Sequence, residues 1–437
     1  MNITQSISTE ASAYWQRIQR FTPSARLIII SQSISRLGFG LYQAIFNLYL
    51  LSLGYSTAFV AGLLSLGLYT MAMGALVAGP YTTRVGEKYA LILSGVISSV
   101  AACTLILMPI PIVLSLMIIL FYFGNSLSIT SYSPLIARSS SSFERTYLFG
   151  TSQALRIATS FLGSILGGFL PGFFALWLLV PLDSPTTFQF TLIIWVTASM
   201  LGIFPLLRLK DTTSHNVTLE GKELGEAASK TEPKGRISIV ARFITCGLLV
   251  GLGAGLIVPL INIFFWEFYD LPTYMVGIII GLGQATMATG VLLSPILSTR
   301  IGKVSSVVLT QALSLPFLIV LAIIINPVVA VLSFLVRGAM MNAAMPIGQT
   351  LRMELVPSSW RPNLQALNSS VMNLGRATSV QFAGQFFEQG LYLTPFWLTL
   401  GFYGLQTVLY AVFFWNAEKQ RDEDLGDQKT ALLEDSS

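Results

Sequence analysis

Residues 82–86 read TTRVG, and 216 positions later residues 298–302 read STRIG. Each basic turn follows an apolar stretch containing T-M-A-x-G, at 70–74 and at 286–290. At the same offset Gly67/Gly283, Leu76/Leu292, Thr83/Thr299, Arg84/Arg300 and Gly86/Gly302 are identical, and at an offset of 215 Asn47 meets Asn262 and Gly62 meets Gly277. A single match between apolar segments carries little, but an ordered set of this length implies two parallel copies of one unit.

Composition says what that unit is made of. The 437 residues are 53% hydrophobic and only 10% charged, with a mean hydropathy of +0.70, whereas about a quarter of a soluble globule is charged. The solvent is therefore lipid. Apolar windows bounded by charge, Gly or Pro predict twelve spans, at 27–52, 58–80, 89–110, 112–136, 147–180, 188–207, 238–266, 274–298, 304–325, 327–351, 364–387 and 395–416. The third and fourth are separated only by the turn residues at 108–111, and the ninth and tenth by those at 326–327. Both basic turns fall on one side of the membrane, so an even number of spans separates them, and six fits the spacing.

Positive charge tests the count, because Lys and Arg concentrate in cytoplasmic connections. Of the 25 such residues, none falls in the outward loops this count implies. Five (Arg36, Arg156, Arg242, Arg337 and Arg376) lie inside spans, and the rest are in the tails or inward loops. The expectation is an all-α membrane protein of a cell membrane, with both termini cytoplasmic: a lead-in at 1–26, an N-terminal six-helix bundle at 27–208, a linker at 209–237, a C-terminal bundle at 238–416 and a tail at 417–437. The acidic stretch 421–437 is expected to be disordered. The segment AYWQRIQRF (13–21) fits an amphipathic surface helix and, equally, a solvated lead-in. No removable signal peptide is expected.

The basic turn carries a resemblance. GPYTTRVGEKYAL (79–91) is similar to the signature loop after the second helix of major facilitator superfamily (MFS) transporters, matching it at Gly79, Arg84, Gly86, Lys88 and Leu91. Thr83 stands at that pattern's aspartate and Glu87 at one of its basic positions; the second copy, 295–304, keeps Arg300 and Gly302 with Thr299 again at the aspartate. FLVRGAMMNAAMP (334–346) resembles the family's R-G-containing tenth helix, and FLGSILGGFLPGFF (161–174) its Gly-rich fifth. The resemblance implies two pseudo-symmetric six-helix bundles, the MFS fold, that rock about a midplane site. It also implies that the two loops gate the cytoplasmic side, through Gly79, Thr83, Arg84, Gly86, Thr299, Arg300 and Gly302. Threonine offers only neutral hydrogen bonds where aspartate offers charge-assisted ones, roughly twice as strong. A softer lock is thus expected, with Arg84 and Arg300 bonding helix-end carbonyls or Glu144 and Glu354.

Charges inside spans mark the candidate site, since each costs about 2.5–3.5 kcal/mol at mid-helix unless paired or facing water. In the first span Gln32, Arg36, Gly40, Gln43 and Asn47 recur at steps of three and four, which places them on one face. Ser369, Asn373, Arg376 and Ser379 form a similar stripe in the eleventh span, and Ser152, Arg156, Ser160 and Gly163 a weaker one in the fifth. With Arg337 and Asn342 in the tenth, Asn262 mirroring Asn47, and Gln284 in the eighth, the candidate substrate ligands are Arg36, Gln43, Asn47, Arg156, Asn262, Gln284, Arg337, Asn342, Asn373 and Arg376. Arg242, one turn into its helix, reads as snorkelling to the inner surface, and Gly163, Gly167 and Gly168 as close helix packing.

No Asp or Glu lies deep in any span. A cavity with several guanidinium groups and no carboxylate favours anions. Glu388, at an outer helix end, is the candidate for coupling protons to transport. The expected function is a secondary carrier for a small organic solute, anions favoured; a polyspecific efflux permease is the alternative within the same fold, and a non-transporting receptor or scaffold lacks the outer domains it would need. No G-x-S-x-G, H-E-x-x-H or P-loop is present, so neither an enzyme nor an ATP-driven pump is expected. Cys103 and Cys246 stand alone in apolar runs and His215 in the polar linker, so no metal, cofactor or disulfide is expected. The expected partners are the solute and membrane lipid, without nucleic acid, and the chain is expected to act as a monomer.

Overall fold

A computed structural model describes residues 21–139, 145–209, 233–357 and 360–434, and these form twelve long helices. The first six are α1 (Pro23–Ser52), α2 (Thr57–Val85), α3 (Glu87–Leu107), α4 (Pro111–Arg138), α5 (Arg145–Leu178) and α6 (Pro185–Leu201). The second six are α7 (Pro233–Ile257), α8 (Thr273–Ile301), α9 (Lys303–Ile323), α10 (Pro327–Leu355), α11 (Arg361–Glu388) and α12 (Thr394–Glu434). All twelve predicted spans have their helix. Ten regions are long and apolar enough to cross a membrane on composition alone. The two helices that fall short, α1 and α11, are those with the polar stripes.

The repeat is written into the helix bounds. Shifting α2 and α3 by 216 residues gives the bounds of α8 and α9, and the starts of α4 and α5 map onto those of α10 and α11. Each basic turn ends in a glycine with positive φ, 93° at Gly86 and 84° at Gly302, where a side chain would be strained. That glycine lets α2 reverse directly into α3, and α8 into α9, with no intervening loop. Elsewhere the helix starts are set by proline in the first turn of α1, α4, α6, α10 and α11. Thr22 and Asn326 add side-chain caps, accepting from the Ala25 amide at 3.1 Å and the Val328 amide at 3.0 Å.

Packing divides the described residues into two compact units. The first draws on the described part of 1–215 with 261–285, and the second on the described part of 216–260 with that of 286–437. In the first, α1 packs on α5 and α6, and α4 on α2 and α3; in the second, α7 packs on α11 and α12, and α9 on α10 and α12. The α1/α5 contact is so close that a Cβ on Gly40 would strike the Ser160 carbonyl, and one on Gly163 the Leu37 carbonyl. Gly251 and Gly255 serve α7 and α11 in the same way, against Met372 and Arg376. The glycine stripe is thus helix packing, as its spacing implies.

Where α7 leaves the second unit the helix is irregular: a 3₁₀ turn at Val258–Leu260 precedes a π turn at Phe264–Phe268. Residues 261–285 then pack on the first unit, where Gly168 of α5 meets Gly277 of α8 so closely that a Cβ on either would collide with the other's backbone.

The acidic tail departs from expectation. α12 continues as one helix to Glu434 rather than losing order. Its residues beyond 415 are mostly Ala, Glu, Lys, Gln, Arg and Leu, good helix formers, and extending an existing helix avoids the nucleation cost. Residues 13–20 of the surface segment, Glu144 and residues 210–232 of the linker lie outside the described residues.

Candidate substrate-binding site

The predicted polar stripe of α1 does not face one vestibule. It divides among three environments within the first unit. Gln32 and Arg36 line a cavity of about 90 Å³ whose wall is rich in hydroxyls, among them Ser35, Ser98, Ser128 and Ser199. Gly40 is consumed by packing against α5. Gln43 and Asn47 are tied to the segment 261–285: Gln284 Nε2 donates to Gln43 Oε1 at 3.1 Å and to Ser164 Oγ at 3.0 Å, and Asn47 Nδ2 donates to Asn262 Oδ1 at 2.9 Å.

The two asparagines paired by the repeat offset therefore bond one another. Asn262 is 2% exposed; its Nδ2 also donates to the Ala44 carbonyl at 3.2 Å and its Oδ1 accepts from the Ile263 amide at 3.0 Å. Such saturation suits a structural clasp better than a ligand contact.

The arginines behave differently. Arg36 lies 5.2 Å from the Phe39 ring centre and Arg156 5.0 Å from that of Tyr132. The Tyr132 hydroxyl in turn bonds Ser152. Arg337 is 3% exposed; its Nη2 donates to the Tyr403 hydroxyl at 3.1 Å and its guanidinium lies 5.3 Å from that ring's centre. Arg242 donates to the Phe413 carbonyl at 3.3 Å and covers the Phe413 ring, which fastens α7 to α12. The described ion pairs are Arg138–Glu87 at 3.0 Å and Lys303–Glu354 at 2.5 Å, both at helix ends. None involves an arginine inside a span.

The larger cavity, about 320 Å³, lies wholly within the second unit. α10 lines it with Arg337, Met341, Asn342, Met345, Gly348 and Arg352, spaced to share one face. α11 contributes Gln365, Asn368, Ser369, Met372 and Arg376, α12 contributes Tyr403, Gln406 and Tyr410, and Gln311 of α9 closes one side. No Asp or Glu lines it. The Nε atoms of Arg337, Arg352 and Arg376 are buried without a partner, as are the side-chain oxygens of Gln311, Gln365, Asn368 and Gln406. These atoms are closed to solvent as well as unpartnered, so the groups left to meet an occupant are the other polar atoms of the same side chains.

Of the predicted ligands, the cavity gathers Arg337, Asn342 and Arg376. Asn342 turns its amide back to the Gly338 carbonyl at 2.9 Å, and Asn373 stands outside. The sequence reading placed Arg352 just beyond the tenth span; α10 runs four residues further, to Leu355, and carries it into the lining. Gln406 went unnoticed, although a glutamine inside an apolar span is itself a signal. Glu388 is exposed at the last residue of α11.

At the candidate gating loops both threonines bond locally. Thr83 Oγ1 donates to the Pro80 carbonyl at 2.8 Å and Thr299 Oγ1 to the Ile296 carbonyl at 3.0 Å, each within its own helix. Glu354 accepts from Lys303 rather than Arg300. Both Arg84 and Arg300 are exposed.

Two repeats of six mostly apolar helices, with buried cations and a polar cavity, define a multi-pass membrane protein with the fold of a transporter. The family model of the Major Facilitator Superfamily matches residues 28–380 and, again, 243–434. The chain belongs to that superfamily. Among solved structures it is similar to the nucleoside transporter NupG (14% identity, 90% of this chain and 99% of that one, TM-score 0.68). It is similar also to a bacterial homologue of the human lysosomal transporter Spinster (14%, 89% and 95%, 0.69) and to a D-xylose-proton symporter (14%, 90% and 97%, 0.66). At these identities the likeness is one of fold. No curated protein matched the chain by sequence.

Proposed function

We propose that the chain is a secondary transporter of a small organic anion, working by alternating access in a cell membrane with both termini cytoplasmic. One observation carries the charge preference: the guanidinium groups inside the spans have aromatic rings, hydroxyls and carbonyls for neighbours, and the described ion pairs leave them uncompensated. Uncompensated positive charge in a low-dielectric surround attracts anions and repels cations. In reconstituted vesicles, Arg36→Gln and Arg376→Gln are expected to weaken uptake of an anionic solute at least tenfold and that of a cationic one little; equal losses would make the arginines structural.

Four methionines (Met287, Met341, Met345 and Met372) in the larger cavity favour a second reading, a polyspecific permease for amphiphiles, since flexible thioethers adapt to many shapes. Uptake that follows hydrophobicity and ignores charge would select it. For coupling we assign Glu388; Glu388→Gln is expected to remove any dependence of uptake on a proton gradient without altering solute binding, and an unchanged dependence rejects the assignment.

A further inference from the structure

Two of the unmatched arginines stand close together in the first unit. α1 and α5 run parallel in tight contact: Leu37 abuts Gly163, and Leu41 and Ala44 abut Gly167. Within that contact Gly40 meets the Ser160 carbonyl. Arg36 lies four residues before Gly40 and Arg156 four before Ser160, so each sits one turn, about 6 Å, ahead of the point where the helices touch. A residue four places back shares the face of the one it precedes. The two guanidiniums are near enough for their charges to repel. The Tyr132 phenol of α4 acts on Arg36 as well; its ring centre lies 5.0 Å from Arg156, and its hydroxyl bonds Ser152, one turn before Arg156 on α5.

Nothing on the surrounding helices balances this pair. α1, α4 and α5 contain no Asp or Glu, and none lines the cavity of about 90 Å³ that Arg36 borders. Among the described residues neither guanidinium has a hydrogen-bond or ion-pair partner. The Nε of Arg156 is buried, whereas its terminal nitrogens and all those of Arg36 are open to water. Two like charges held together in a low-dielectric surround call for counter-charge, and an anion with two charges relieves both at once. A carboxylate carries one charge and lies flat against one guanidinium fork. A phosphate ester carries close to two at neutral pH and directs its oxygens to several sides, so that it can bridge two forks. We propose that Arg36 and Arg156 together seat the doubly charged phosphoryl group of a soluble phosphate ester. The seat takes the acid group and nothing of the solute's body. The assignment rests on the anion reading above, to which it adds the number of charges and the side chains that meet them.

The test measures binding of methyl phosphate and methyl sulfate, alike in shape and different in charge, to the purified full-length chain in detergent at constant ionic strength. Methyl phosphate passes from one charge to two near pH 6, whereas methyl sulfate keeps one. Between about pH 5 and about pH 7.5 methyl phosphate is expected to bind about tenfold tighter, following its doubly charged fraction. Methyl sulfate is expected to stay unchanged, which controls for titration within the protein. Arg36→Gln and Arg156→Gln are each expected to abolish the pH dependence. Each also removes one of two repelling charges and should raise the melting temperature of the ligand-free protein, an outcome that misfolding cannot imitate. Equal binding of the two esters at the higher pH, lost in both variants, would overturn the doubly charged group and leave the anion reading standing. Methylammonium binding as well as either ester would overturn both. Displacement of methyl phosphate by an equal concentration of short-chain phosphatidic acid would make the occupant a lipid headgroup and overturn the soluble ester. Binding that survives in the variants, or failure of both esters to bind, overturns the proposal.

Discussion

Asn47 and Asn262 show how residues expected to be ligands can find hydrogen-bond partners within the protein. Both are polar, buried and matched across the repeat, the signature of an intramembrane functional site. Once their amides have bonded one another, the Ala44 carbonyl and the Ile263 amide, little capacity is left for a solute. Asn262→Leu, which strands the Ala44 carbonyl and the Ile263 amide, and Asn47→Leu, which removes the bond between the two side chains, are each expected to lower stability, by about 1–3 kcal/mol for each buried group left unsatisfied. Thermal unfolding in detergent reads both, and a variant as stable as the wild type would contradict the clasp. Residues that line a cavity with a charge the described ion pairs leave unmatched, such as Arg376, are the better ligand candidates. Sequence cannot draw that distinction, because it depends on partners from other helices.

At the scale of elements, the repeat is exact in the bounds of α2 and α8 and of α3 and α9, and inverted in charge at one ion pair. Glu87 and Arg138 pair across α3 and α4, and at the same offset of 216 Lys303 and Glu354 pair across α9 and α10 with signs exchanged. The exchange matters to the helix dipole. Glu87 opens α3 and Arg138 closes α4, the favoured arrangement, whereas Lys303 opens α9 and Glu354 sits in the last turn of α10, the disfavoured one. Reversing the second pair, Lys303→Glu with Glu354→Lys, is expected to stabilise the protein by about 0.3–1 kcal/mol per helix end, and reversing the first to destabilise it by a similar amount. A double-mutant cycle on melting temperature reads both, and a shift of the same sign in the two pairs would refute the dipole argument. Helix bounds were legible because hydropathy, proline and glycine are local signals. The extension of α10 past 351 was not, since Arg352 looked like the start of a cytoplasmic loop. The helical tail was misread for a related reason, charge being taken for disorder.

For the molecule as a whole, twelve spans, their parallel duplication and the superfamily could be read from the chain, because each rests on a pattern repeated over many residues. The site was half legible. Arginines in lipid-spanning segments announce themselves, but their division between a serine-lined cavity in the first unit and an amide-lined one in the second depends on helix rotation that periodicity leaves open. What unites them is positive charge without a matching carboxylate, and that is the central claim. Its most direct test is uptake into vesicles containing the wild-type chain or Arg376→Gln, measured for an anionic and a cationic solute of equal size at two salt concentrations. The account predicts that the wild type favours the anion by tenfold or more and that the variant loses this preference. A wild type that carries both equally, or a variant whose preference is intact, would contradict it.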